Sequence, residues 1–92
     1  LSYYQLPWLS ITKNLDYKYP IYVSATDYDD GGHAVTVYGY RTIDTDKYVV
    51  IWNSGLFDGI GGLQVAYYDS LGTTFSYNYK TWTWVYSLSW IQ

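Results

Sequence analysis

Residues 80–91, KTWTWVYSLSWI, place Trp82, Trp84, Tyr86, Leu88 and Trp90 at every second position, with Thr83, Val85, Ser87, Ser89 and Ile91 between them. Successive side chains of an extended strand point to opposite faces, so this spacing predicts a strand with one almost wholly aromatic face. In a chain of 92 residues without cysteine, stability has to come from apolar bulk rather than from cross-links. The 14 Tyr and 5 Trp supply that bulk, and their hydroxyl and indole N–H groups keep a polar handle for water or backbone. The rings of the tail are therefore expected to form the core of a small sheet. The competing expectation is a stacking platform for sugar rings.

The rest of the chain supplies partners for that strand. In PWLSITKNLD, residues 7–16, Trp8, Ile11 and Leu15 recur at helical spacing after a proline suited to a first turn, which predicts a short amphipathic helix. Pro20 should end it near DYKYP. Period two then takes over: Ile21, Val23 and Ala25 share one face, a second run spans His33 to Arg41, and a third spans Lys47 to Asn53 after the polar loop TIDTD. The glycine-rich SGLFDGIGG reads as a turn-rich loop before a fourth run, LQVAYY. The expected architecture is one domain over residues 1–92, α+β and mainly β, with a short N-terminal helix and about five antiparallel strands curled into a half-barrel.

Composition excludes several functions. The net charge is −3, and the five Lys and Arg are scattered, so nucleic acid is not an expected partner. No apolar run is long enough to cross a bilayer as a helix, and no membrane partner is expected. One His, no Cys and no Glu leave too few ligands for zinc and no bidentate carboxylate to close a calcium loop. Asp27, Asp29 and Asp30 accordingly read as a solvated turn, and neither a metal nor a cofactor is expected. Leu1 is not an initiator and the chain has no Met, which suggests a processed product. Many Tyr, Ser, Thr and Asp with few Lys suggest a secreted bacterial one.

The second and third runs place two polar residues together. A hairpin turn centred near Asp44 pairs positions whose numbers sum to about 86–88, and an even sum puts His33 and Asn53 on the same face. At 86 they are directly opposite and at 88 they are diagonal neighbours, within reach of each other in both registers. An amide oxygen beside an imidazole fixes its tautomer and orientation and leaves the other ring nitrogen free to act on a nucleophile. Ser54 cannot be that nucleophile, because alternation turns it away from the His33 face. Gly31 and Gly32, just before the histidine, read as turn residues.

GGHAVTVYGY followed by YVVIWNSG resembles the C-terminal half of papain-like cysteine peptidases, with secreted bacterial members such as staphopains, streptopain and C39-like peptidases the nearest in pattern. The likeness spans about residues 8–55 and includes the helix and strand leading to the histidine. It implies the β-barrel-like right half of that fold, with His33 as the catalytic base and Asn53 as its orienting partner. It also implies that Gly31 and Gly32 allow the backbone of a protein or peptide substrate to approach. The family's nucleophilic Cys and oxyanion-hole Gln belong to an N-terminal half that this sequence lacks, so that half is the expected partner and the chain alone should be inactive. Gln5 lies in no context resembling that of the oxyanion-hole residue. Where the family continues Asn-Ser-Trp-Gly, with the Trp shielding the His–Asn contact, this chain has Asn53-Ser54-Gly55-Leu56. Trp52 lies on the opposite face, so another aromatic would have to shield the contact. A homo-oligomer and a non-catalytic aromatic β module that binds carbohydrate or protein are the other expectations.

Overall fold

The computed structural model describes residues 4–29 and 31–91. One helix, α1 (Trp8–Asp16), precedes six strands: β1 (Ile21–Thr26), β2 (Gly32–Ile43), β3 (Asp46–Asn53), β4 (Gly62–Tyr67), β5 (Thr74–Tyr77) and β6 (Lys80–Leu88). They form one sheet in the order β4-β3-β2-β1-β6-β5, antiparallel at every ladder. The two outer strands, β4 and β5, face each other across a seam, so the sheet is a nearly closed barrel in which the chain runs as a simple meander.

The core is the inside of this barrel. Ile21, Val23 and Ala25 of β1 point inward as their alternation predicts, and they meet Val35, Val37, Val49, Ile51, Ala66, Phe75, Trp82 and Trp84. Leu6 and Ile11 join the same cluster, with Trp8 and Leu15 packed against it. Trp8 packs on Tyr40 and Tyr68, with ring centroids 5.5 and 5.2 Å away, far along β2 from His33. Tyr40 also donates its hydroxyl to Asp16 at 2.7 Å, and that bond is the main reason its phenol is held above the usual value.

α1 ends in a way the sequence pattern did not specify. Lys18 is left-handed (φ 66°), the Tyr19 N–H bonds the Asn14 carbonyl at 2.9 Å, and the Lys18 N–H bonds the Leu15 carbonyl at 3.0 Å. This is a Schellman closure with lysine where glycine is usual, two residues ahead of Pro20. Asn14 itself is fully buried. Its amide donates to the Ser10 and Ile91 carbonyls, and its oxygen accepts the Ile91 N–H, so the helix holds the end of the chain.

Two irregularities decide which side chains enter the barrel. In β6, Tyr86 pairs with Ser24 but Trp84 pairs with Ala25, leaving Val85 as an extra residue. Such a bulge reverses the alternation. Trp82 and Trp84 point into the core, but Tyr86 and Leu88 face out at 42% and 50% exposure, and the strand stops before Trp90, which is 74% exposed. The expectation of one aromatic core face along 82–90 is thus corrected to a core half and an exposed half. The second irregularity lies in the β2–β3 hairpin and shapes the site.

β5 adds a sixth strand to the five or so expected. It is four residues long and joined to β6 by a two-residue turn in which Asn78 and Tyr79 are both left-handed (φ 54° and 61°), as a primed hairpin turn requires.

Candidate functional site

The hairpin carrying His33 and Asn53 turns at Asp44-Thr45, and its first pairs, Ile43↔Asp46 through Gly39↔Val50, sum to 89. Continued without interruption, that odd register would put His33 and Asn53 on opposite faces. Tyr38 is left unpaired as a bulge, and beyond it Val37↔Ile51 and Thr36↔Trp52 sum to 88. The even register restores a shared inner face, with His33 diagonal to Asn53. His33 Nε2 and Asn53 Oδ1 lie 2.7 Å apart.

Asn53 is fully buried and held from every side. Its Oδ1 accepts the Gly55 N–H at 3.0 Å as well as facing His33, and its Nδ2 donates to Gln64 Oε1 at 2.9 Å. Gln64, on β4, donates its own Nε2 to the Ser76 carbonyl of β5 at 2.7 Å, so the network bridges the barrel seam. His33 is half-buried, and its Nδ1 has no hydrogen-bond partner among the described residues.

Aromatic rings wall the imidazole. Tyr77 stacks on it with centroids 4.5 Å apart and planes 18° from parallel, while Trp82 and Phe75 stand at 5.4 and 6.5 Å. The Trp82 indole donates to the Tyr77 carbonyl at 2.9 Å, fixing one wall to the next. The Tyr77 hydroxyl lies where a Cβ on residue 55 would sit, which explains the glycine after Ser54. Tyr77 thus covers the pair from a different strand. Trp52 points outward, as alternation predicts, and packs over Gly61, where any Cβ would collide with its indole.

Neither Tyr77 nor Gln64 was visible as a site residue in the sequence. The available signal was Asn78 in TFSYNYK, a residue tolerant of left-handed backbone between short extended runs, which would have located the hairpin that brings Tyr77 round.

Gly31 and Gly32 open β2 beside His33. Gly31 takes φ +103°, which favours glycine, and a Cβ there would meet nothing within 4 Å. A Cβ at Gly32 would meet the Ala25 carbonyl at 3.7 Å, an ordinary contact, so packing within this chain does not require glycine. The preceding turn is internally bonded: Thr26 Oγ1 donates to the Gly31 carbonyl at 3.1 Å, the Asp29 N–H bonds Asp27 Oδ1 at 3.1 Å, and Lys80 pairs with Asp27 at 3.7 Å. No cluster of metal-binding side chains occurs among the described residues, and Asp30 lies outside them. Gln5 has a structural place far in sequence from the site, accepting the Thr73 N–H at 2.8 Å and donating to the Asp69 carbonyl.

The outer face of the sheet carries a separate feature, an apolar groove of about 400 Å³ lined by Tyr22, Trp52, Tyr86 and Leu88 with small Ser24 and Ala34 among them. It does not include His33.

No family model matches the chain. No curated protein and no solved structure matches it either.

Proposed function

We propose that this chain is the β-rich, base-bearing portion of a secreted bacterial papain-like cysteine peptidase that hydrolyses protein or peptide substrates with a thiol supplied by another segment. The observation that carries the reading is the 2.7 Å His33–Asn53 contact, anchored by Gln64 and the Gly55 N–H and covered by Tyr77, in a chain with no cysteine. His33 Nδ1 would take the proton of the incoming thiol, and the thiolate would attack the substrate carbonyl carbon. The imidazolium would then give that proton to the departing amine, with Asn53 Oδ1 stabilising the charged ring. The open backbone at Gly31 and Gly32 leaves room for an extended peptide beside the base.

The gene sequence preceding the codon for Leu1 tests the reading directly. A Gln-containing segment followed by a Cys at the start of a helix is expected, and an unrelated domain there would overturn it. Co-expressed with that segment, the chain should hydrolyse peptides in a manner blocked by thiol alkylation. His33→Ala should then lower kcat/KM by about 10²- to 10⁴-fold. Undiminished hydrolysis in the variant would remove His33 from the chemistry.

A second reading, a non-catalytic module that binds carbohydrate, is favoured by the exposed outer groove with Tyr22, Trp52 and Tyr86 at its walls. Tryptophan fluorescence titrated with soluble oligosaccharides tests it. A saturable change lost in Trp52→Ala supports this reading, and a flat titration rejects it.

A further inference from the structure

Gln64 lies 11 residues from Asn53 in sequence, yet it joins the same hydrogen-bond chain, and that chain has a direction fixed at both ends. At one end is the Ser76 carbonyl, which can only accept. The Gln64 group facing it must therefore be the NH₂, and Gln64 Oε1 is turned toward Asn53. An acceptor at that point requires Asn53 to present its own NH₂, which leaves Asn53 Oδ1 toward His33. At the other end is the Gly55 N–H, which can only donate and meets the same Oδ1 at 3.0 Å. Two backbone groups of fixed polarity thus give the same answer for the orientation of the Asn53 amide. Facing an acceptor, His33 Nε2 must carry the proton, and the lone pair of the neutral ring resides on Nδ1.

We propose that Gln64 is a positioning residue for His33: by orienting Asn53 from the neighbouring strand β4, where its own amide is fixed across the seam by Ser76, it holds the imidazole as the Nε2–H tautomer and keeps Nδ1 as the basic atom. The inference rests on His33 and Asn53 being the working pair of the proposed peptidase site, but its physical content is a property of this chain alone. Tyr77 completes the constraint by fixing the ring plane from one side.

His33 is the sole histidine, so a long-range ¹H–¹⁵N spectrum of the labelled chain contains one imidazole. For the neutral ring, the wild type is expected to show a protonated Nε2 and an unprotonated Nδ1. Gln64→Met removes one of the two groups that orient Asn53 and leaves the Gly55 N–H, so the tautomer ratio should fall about fivefold, the factor carried by one ordinary hydrogen bond. Gln64→Glu keeps that acceptor while losing the donor to Ser76, and it should retain the wild-type signature. If Gln64 only braces the seam, the variants lose stability while their imidazole signals stay as in the wild type, and the proposal fails. A wild-type ring protonated at Nδ1 overturns it outright, whether or not Gln64→Met folds. The readout uses no thiol and no substrate, so a failed peptidase reconstitution leaves it standing, and its own failure leaves the peptidase test open.

Discussion

Asn53 shows how much can depend on one buried amide. It meets His33, Gly55 and Gln64, and a fully buried polar group costs little only while its partners are in place. Asn53→Ala leaves the Gly55 N–H and Gln64 Oε1 without their partner, and a loss of about 1–3 kcal/mol is expected in urea unfolding. An unchanged midpoint would mean that water replaces the amide without cost. His33 and Asn53 were legible in the sequence because both sit on one hairpin, where simple register arithmetic brings them together. Gln64 was not, because its place diagonal to Asn53 depends on the register that β4 takes up after the glycine-rich loop, and Tyr77 was not, because it reaches the pair only when the two edge strands of the sheet close on each other, which no local pattern records.

At the scale of elements, the bulges govern the result. The turn sets an odd register, and the extra residue Tyr38 converts it to the even one that the site needs. Deleting Ala34 is expected to turn His33 to the outer face and abolish its contact with Asn53. Deleting Tyr38, by contrast, removes only the unpaired residue and should leave that contact in place. Nuclear Overhauser effects between the imidazole and Tyr77 distinguish the two outcomes, and a retained contact after Ala34 deletion would mean that the register had slipped to compensate. The bulge at Val85 was equally invisible, since an inserted residue looks like continued alternation from Trp82 to Trp90. The helix end offers a cleaner gain. Lys18 holds a left-handed backbone that costs an L residue roughly 1 kcal/mol, so Lys18→Gly is expected to stabilise the chain by about that much, read as a shift in urea midpoint.

For the whole molecule, the sequence predicted the class of fold and most of the strands, since apolar alternation and glycine-rich breaks are local signals that survive packing. The short β5 escaped notice because four residues are too few for alternation to stand out. Around the barrel, every sequential pair of strands is joined by a ladder except β4 and β5, which meet at the seam through the Gln64–Ser76 bond. That makes the seam the easiest place for the structure to breathe. Amides of β5 are expected to exchange with solvent deuterium on the order of tenfold or more faster than those of β1 and β2, without global unfolding. Equal protection along all six strands would show that the barrel opens only as a unit. Because the hydrogen-bond network that orients the imidazole is tied across this seam, the direction in which the ring points would loosen and tighten with the same breathing.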